Sequence, residues 1–414
     1  MPGLPTTSEC LARIDELEPT IRAFQAVRRE EALAEAAAVD PSLPLAGVPV
    51  AVKDNVDVAG LPTRQGSAAT SAEPATEDDE LVRRLRAAGA IVIGKTQMPE
   101  LAIWPFTEPE AYPATQNPLH PGMTPGGSTG GGAAAVAAGM AALALGSDGG
   151  GSIRIPSACC GLVGIKPGPG VVPLAGGAHE HWLGMTEFGP IARTAADAAL
   201  MLDVLAGTTA YRQLETPAGL RIAVAPAHPT PGVRPKPPIR AALDAAAAAL
   251  ASSGHTVTKA KAPYPATLGM RFSNRWLVGI AQDAEGLPAD RLEERTRKMA
   301  KRGAKLAKKV DPAAADPFGA RMREWFADYD VLVTPTLSRP PVPIGTWQGK
   351  GWIRTMLGVG NWLYTTPWNL ARLPAASVPF DGHGLQLVGP EGSERTLLSL
   401  AAQLESLDGA DASV

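Results

Sequence analysis

The hydrophobic positions along the chain alternate between helical and strand spacing. Apolar residues recur every three or four positions from Leu11 to Ile21, and an Ala/Glu/Arg-rich stretch follows, which predicts two helices over residues 8–39. A β-branched run over 47–53 predicts a short strand that ends at Lys53. Acidic residues at 78–80 precede an amphipathic segment that stops at Gly89, as expected of a helix, and 91–93 predicts a buried strand.

Similar helix–strand units recur over 130–147, over 193–205 with 220–225, and over 237–253 with 255–259. This alternation is typical of α/β proteins and predicts a sheet with helices on both faces. The sequence contains no internal repeat and no clean domain boundary.

Composition indicates a folded chain with many glycine-built loops. Of the 414 residues, 45% are hydrophobic and 19% are charged, and Gly and Pro together make up about a fifth. The net charge of −3 provides no overall attraction to nucleic acid or to an anionic membrane. The stretch 291–309 holds nine Lys/Arg residues but no interleaved aromatics, so we interpret it as a solvated helix face rather than an RNA-binding segment.

Cysteine and histidine positions bear on compartment and metal binding. Three cysteines, two of them adjacent, offer no disulfide framework, and the chain has neither a signal-like N-terminus nor 18 consecutive strongly apolar residues. We therefore expect a cytoplasmic protein without a membrane span. The closest histidines, His179 and His181, lack the i, i+4 spacing of a helical zinc site, so we expect a surface loop there and no metal.

A literal phosphate-loop pattern occurs at Gly89–Thr96. A phosphate loop needs a strand before its first glycine and free backbone amides after it. Here a helix precedes the glycine and Ile91–Ile93 is itself strand, so those amides are committed to sheet partners. Nucleotide binding is therefore the weakest of the functional hypotheses.

Two further glycine-rich loops carry serines. Ser128 lies in the loop over 124–132 and Ser152 in the loop over 146–154, and the intervening helix and strand can return Ser152 to the side of Ser128. Three glycines directly before Ser152 leave backbone N–H groups open to a developing oxyanion. Ser152 is thus a candidate nucleophile.

A serine nucleophile needs a base, and the sequence places no histidine in a loop that obviously reaches this zone. Lys53 can serve if it is neutral, which requires its pKa to fall by about three units, or about 4 kcal/mol. Two ordinary glycine turns and one lysine at a strand end remain the alternative interpretation of these residues.

The chain resembles the amidase signature enzymes over most of its length. The matching segments are 47–54, 94–96, 117–118, 125–128, 148–156, 160–161, 164–167, 189–193, 374–375 and 385–389. The separations from Lys53 to Ser128 to Ser152, 75 and 24 residues, also fit. The resemblance implies one compact α/β domain with a mixed sheet: N-terminal helices over 8–39, a core over about 45–210 and a C-terminal part over 211–414. It implies no cofactor.

The resemblance also implies roles for individual residues. Ser152 would attack the carbonyl, Ser128, after a cis peptide bond, would relay the proton, and Lys53 would accept it. The amides of Gly149, Gly150, Gly151 and Ser152 would form the oxyanion hole, with Asp148 and Arg154 as a supporting ion pair. Three positions depart from the common family pattern without removing a catalytic residue: Gln97, Thr129 in the relay loop, and Gly149, which we expect to loosen the oxyanion loop.

Large apolar residues near both serine loops suggest an apolar or aromatic acyl pocket. The candidates are Trp104, Phe106, Trp182 and Met185, followed by Phe188, although each could equally be a core residue. If the substrate instead carried a carboxylate, Arg64 or Arg372 would be candidates to bind it.

The predicted activity is hydrolysis of a small-molecule carboxylic amide to an acid and an amine or ammonia, without nucleic acid or membrane. The alternative is the glutaminase subunit of a tRNA-dependent amidotransferase, which shares these residues and which only the basic stretch 291–309 favours. The sequence leaves a homodimer open.

Overall fold

A computed structural model describes residues 4–173, 181–311 and 315–411. The strands are β1 (Phe24–Val27), β2 (Pro49–Lys53), β3 (Ile91–Thr96), β4 (Leu143–Asp148), β5 (Val163–Lys166), β6 (Glu187–Ala192), β7 (Arg221–Val224), β8 (Thr256–Lys259), β9 (Val331–Pro335), β10 (Ala375–Phe380) and β11 (His383–Val388). The helices are α1 (Thr7–Ile21), α2 (Arg29–Ala38), α3 (Glu80–Ala87), α4 (Gly130–Ala137), α5 (Arg154–Cys159), α6 (Ala195–Ala206), α7 (Pro237–Ser252), α8 (Leu268–Asp283), α9 (Glu294–Leu306), α10 (Pro317–Trp325), α11 (Trp352–Gly360), α12 (Thr366–Leu370) and α13 (Glu394–Asp411), with a 3₁₀ turn at Glu100–Ala102.

These strands form an 11-stranded mixed sheet in the order β1-β3-β2-β4-β6-β5-β10-β11-β9-β7-β8. Strand β2 runs parallel to both β3 and β4, and β7 runs parallel to β8 and β9. The remaining neighbours are antiparallel. The predicted α/β class and mixed sheet are confirmed.

Helices cover both faces of the sheet because its central strands are buried on both sides. In β2, Val50 and Val52 pack in a core shared with α3, α6, α7 and α13, whereas Ala51 faces a core shared with α1, α4 and α8. Lys53 continues this alternation and shares the face of Ala51. Its side chain is therefore directed into the protein on the side of α4.

Most predicted elements occur where the sequence places them. Asp79 caps α3 by accepting from the amide of Leu81, which explains the acidic start of that helix. The helix α4 takes up only the first eight residues of the helix–strand unit predicted over 130–147. Strand β1 between α1 and α2 was not predicted; its pairing with β3 is antiparallel.

Parallel pairing of β2 with β4 positions the candidate site. Val52 lies opposite Leu145, so the carboxyl ends of both strands reach the same edge of the sheet. Lys53 ends β2, and Ser147 and Asp148 end β4. The two glycine loops begin at this edge, which brings the candidate residues together.

Candidate active site

Lys53 is completely buried and makes three short polar contacts. Its Nζ lies 2.7 Å from Ser128 Oγ, 2.8 Å from Ser147 Oγ and 3.1 Å from the Ser147 carbonyl oxygen. Ser147, which the sequence analysis did not single out, also accepts from Asn55 Nδ2 at 3.1 Å. Two acceptors on Ser147 can hold two N–H bonds of a neutral amine, which leaves its lone pair facing Ser128.

The surroundings of Lys53 favour the neutral amine. Burial lowers the pKa of Lys53 to about 7, and the more distant charge of Asp148 only partly opposes this. The neighbouring Asp54 is engaged elsewhere, because it forms a buried ion pair with Lys95 at 3.0 Å. Lys53 therefore carries a large neutral fraction near pH 7.

Ser128 follows a cis peptide bond after Gly127 and lies just before α4. Its side chain is fully buried. Glycine is required at 127 because a Cβ there would lie 2.6 Å from the backbone nitrogen of Phe106. The next residue, Thr129, donates its backbone N–H to the Ser152 carbonyl at 3.1 Å, which ties the two serine loops together.

Ser152 differs from the other two residues because it reaches a cavity. Its exposed fraction is 8%, and it lines a space of about 120 Å³. Among the residues that the structure describes, no hydrogen bond joins the hydroxyls of Ser128 and Ser152. In enzymes without substrate, hydrogen bonds between active-site residues are often long and tighten only when substrate binds.

The loop before Ser152 presents the backbone amides that we expect to bind an oxyanion, with one exception. The Gly151 amide donates to Asp148 Oδ1 at 2.6 Å, so it is engaged within the loop rather than directed at an oxyanion. Across the described ranges, the amides of Gly149, Gly150 and Ser152 have no hydrogen-bond partner. Three of the four proposed donors thus remain available.

Asp148 and Arg154 form a fully buried two-point ion pair behind this loop. Arg154 Nε lies 2.9 Å from Asp148 Oδ2, and Arg154 Nη2 lies 2.9 Å from Oδ1. Burial alone would raise the pKa of Asp148, but the charge and hydrogen bonds of Arg154 hold it below its usual range. Asn369 adds a hydrogen bond to each partner, at 2.9 Å to Asp148 Oδ1 and 2.6 Å from Arg154 Nη2. The pair fixes the loop.

The cavity at Ser152 is lined mainly by rings and aliphatic side chains. Trp104 and Trp182 line it, as predicted. Phe272 and Trp276 of α8 also line it, together with Met356 of α11, and these were missed by the sequence analysis. No charged side chain lines it among the described residues.

Two predicted pocket residues do not line this cavity. Phe106 is held between Trp104 and Trp347, with ring centroids at 5.7 and 6.2 Å, and it faces a separate groove. Met185 is a core residue whose carbonyl accepts from Asn369 at 3.1 Å. Neither Arg64 nor Arg372 lines the cavity.

Other expectations concern metals, nucleotides and membranes. Within 4–173, 181–311 and 315–411, no group of three His, Cys, Asp or Glu residues could hold a metal ion. His179 lies outside the described residues. The pattern at 89–96 contains strand β3, paired on both sides, so it does not form a phosphate loop. No helix in the described part of the chain is long and apolar enough to cross a membrane.

Comparison with known proteins identifies the family. The family model described as Amidase matches residues 6–398. The chain belongs to this amidase family. The resemblance to the amidase signature enzymes is thereby confirmed, and amide hydrolysis is the reaction class.

Relatives and solved structures agree with this assignment. The chain is 45% identical to putative amidase AmiB2 of Mycobacterium tuberculosis, covering 96% of this chain and 90% of that protein. It is 34% identical to an acylamidase of Rhodococcus erythropolis, covering 96% and 90%. The structure of a 6-aminohexanoate cyclic dimer hydrolase, complexed with substrate, is similar with a TM-score of 0.85 and 32% identity, covering 97% of this chain and 93% of that one.

Proposed function

We propose that this amidase hydrolyses a neutral carboxylic amide through an acyl-enzyme on Ser152, with Ser128 as proton relay and Lys53 as base. The observation that carries the proposal is that only one of these three side chains reaches the cavity. Ser152 reaches the cavity, whereas Ser128 and Lys53 are fully buried behind it and lie 2.7 Å apart. A substrate can therefore touch the nucleophile while the base stays shielded from water.

In the first step, Ser152 Oγ forms a bond to the amide carbonyl carbon. Its proton passes to Ser128 as the Ser128 proton passes to the lone pair of Lys53. The C–N bond then breaks, and the proton returns along the same route to the leaving nitrogen. Water attacks the acyl-enzyme by the same relay and releases the acid.

The tetrahedral intermediate carries a negative oxygen that needs hydrogen-bond donors. The amides of Gly149, Gly150 and Ser152 supply them, since they belong to the loop that presents the nucleophile. Asp148 engages the Gly151 amide and is itself held by Arg154, so the donors are fixed before substrate arrives.

The cavity supports an apolar or aromatic acyl group. Its walls contain Trp104, Trp182, Phe272 and Trp276, and no charge faces it among the described lining residues. Burying each methylene of an acyl chain contributes roughly 0.8 kcal/mol, or about fourfold in specificity. A substrate carboxylate would be desolvated there without a partner.

The test compares kcat/KM of the purified chain for acetamide, butyramide, hexanamide, phenylacetamide and malonamate. We expect kcat/KM to rise with apolar acyl size and to be lowest for malonamate. Preference for malonamate or acetamide would contradict the apolar pocket, whereas inactivity on every simple amide would contradict free amide hydrolysis.

A glutaminase subunit of a tRNA-dependent amidotransferase is the second candidate. It is favoured by the exposed cations Lys301, Arg302 and Lys305 on α9. Glutamine hydrolysis that requires tRNA and a partner subunit would support it. Turnover of hydrophobic amides by the chain alone would exclude it.

A further inference from the structure

The ring of Trp182 occupies the space beside Gly149 in the proposed oxyanion loop. A Cβ at position 149 would lie 2.5 Å from Trp182 Cε3, 2.9 Å from Cζ3 and 2.8 Å from Thr186 Oγ1. Carbon atoms do not approach so closely, so the glycine and the tryptophan are complementary in shape. The missing side chain at 149 is replaced by a ring that arrives from a different segment.

The same ring is held from the opposite side by α8. A Cβ at Gly279 would lie 2.4 Å from Trp182 Cδ1, so this helix also needs glycine where the ring packs. Glycine inside a helix is normally unfavourable, and here the close approach of Trp182 accounts for it. Trp182 is thus enclosed between the oxyanion loop and α8, with an exposed fraction of 3%.

Polar contacts fix the orientation of the ring. Trp182 Nε1 donates to Asp283 Oδ2 at 2.6 Å, at the end of α8. Asp283 Oδ1 lies 3.1 Å from His181 Nε2, and the His181 ring stacks on Trp182 with centroids 5.3 Å apart. His181 Nδ1 is in turn 2.8 Å from Thr186 Oγ1.

The backbone of this segment adopts an uncommon conformation. Trp182 and Leu183 have φ of 52° and 58°, in the left-handed region that residues other than glycine rarely adopt. Arg275 of α8 donates to the Leu183 carbonyl at 3.4 Å. The contacts with α8 therefore maintain a backbone shape that presents Trp182 to both Gly149 and the cavity.

We propose that Trp182 is a specificity-determining residue that holds the oxyanion loop at Gly149 and limits substrate size, and that Asp283 and His181 are its positioning residues. This inference rests on the proposed function, because it assigns the Gly149 loop to the oxyanion. It predicts that the loop geometry and the size selectivity change together when the ring is altered.

The first test is a double-mutant cycle with Gly149→Ala, Trp182→Phe and the pair, measured as kcat for butyramide. Phenylalanine is the smaller ring and removes part of the surface that a Cβ at 149 would meet, whereas Thr186 Oγ1 remains 2.8 Å from that position. We expect Gly149→Ala to lose about 100-fold in kcat in the wild-type background, because small displacements of reacting groups have effects of that size, and less than about tenfold beside Trp182→Phe. Equal losses in both backgrounds would overturn the proposal.

Whether each variant of this cycle folds is a second result of the same experiment. If Gly149→Ala fails to fold alone but folds with Trp182→Phe, the steric coupling is supported. With Thr186→Ala added to every variant to remove the other close atom, failure of Gly149→Ala to fold in both backgrounds would mean that Trp182 is not what excludes the side chain, and it would overturn the proposal.

The second test separates positioning from general stability. Asp283→Asn retains an oxygen that accepts from the indole N–H, so its ratio of kcat/KM for phenylacetamide over acetamide should match the wild type. Asp283→Ala should raise that ratio, as Trp182→Phe does, and Asp290→Ala on the exposed turn after α8 is the matched control. A ratio that is unchanged in Asp283→Ala and in Trp182→Phe would overturn the proposal.

Fluorophosphonate labelling of wild-type Ser152 distinguishes failure of the proposed function from failure of the role proposed for Trp182. If Ser152 is not labelled, the proposed function fails. If Ser152 is labelled but the cycle shows no coupling, only the role of Trp182 fails.

Discussion

Lys53 Nζ and Ser128 Oγ lie 2.7 Å apart, and both side chains are fully shielded from solvent. A proton can pass between them without entering bulk water. The strand β2 delivers the amine and the loop before α4 delivers the hydroxyl, so the contact depends on the pairing of β2 with β4.

The pH dependence of turnover should follow the protonation of Lys53. With its pKa lowered to about 7 by burial, the amine accepts a proton only above that pH. We expect kcat/KM for butyramide to rise through pH 7 and to level off above it. A profile that is flat from pH 5 to 9 would contradict this role for Lys53.

Protonation of Lys53 should also make the stability of the protein depend on pH. The pKa of Lys53 is lower in the folded than in the unfolded chain, so the unfolded chain binds more protons between about pH 7 and 10.5 and stability rises with pH there. Lys53→Met removes this dependence. The free energy of unfolding of Lys53→Met minus that of the wild type should therefore be larger at pH 6 than at pH 10, by on the order of 4 kcal/mol.

Urea denaturation of both proteins at the two pH values measures this difference. Lys298→Met, which alters an exposed lysine on α9, is the control and should show no such change. A Lys53→Met difference that is the same at both pH values would mean that Lys53 is not neutral in the folded protein.

Replacing Ser128 and replacing Ser147 should affect turnover in different ways. Ser128→Ala interrupts the relay, and we expect kcat to fall by about 10²–10⁴. Ser147→Ala keeps the relay but removes an acceptor that stabilises the ammonium form, so the rise in the pH profile should move to lower pH. Full activity in Ser128→Ala, or a shift to higher pH in Ser147→Ala, would be inconsistent with these roles.

The buried pair behind the loop should be sensitive to loss of one partner. Arg154→Met leaves the Asp148 carboxylate buried and unpaired, so we expect a loss of about 3–5 kcal/mol in the free energy of unfolding. The double variant Asp148→Asn with Arg154→Met should recover part of it. Arg221→Met at an exposed ion pair is the control, with a loss of at most about 1 kcal/mol.

Much of this site follows from local sequence. The β-branched run places Lys53 at a strand end, and three glycines mark the loop before Ser152. The engagement of the Gly151 amide by Asp148 was also available from sequence, because aspartate often accepts from an amide a few residues later. Ser147 could have been found once β2 and β4 were taken as parallel neighbours.

The remainder depends on contacts between distant segments. Phe272 and Trp276 lie more than 100 residues beyond Ser152 in an ordinary amphipathic helix, so spacing alone cannot direct them to the cavity. Strand β1 was missed because it has four residues and a mixed burial pattern, and its pairing with β3 stabilises it. Phe106 was assigned to the pocket because it lies close in sequence to the Ser128 loop, but its ring stacks on Trp347 and faces a separate groove.

Covalent labelling with a fluorophosphonate shows directly whether Ser152 is the nucleophile. Ser128 and Ser152 lie on one tryptic peptide, residues 96–154, so fragmentation of that peptide must locate the label. We expect one label per chain, on Ser152, and neither label nor turnover in Ser152→Ala. A label on Ser128, or unchanged amide hydrolysis by Ser152→Ala, would contradict this role for Ser152.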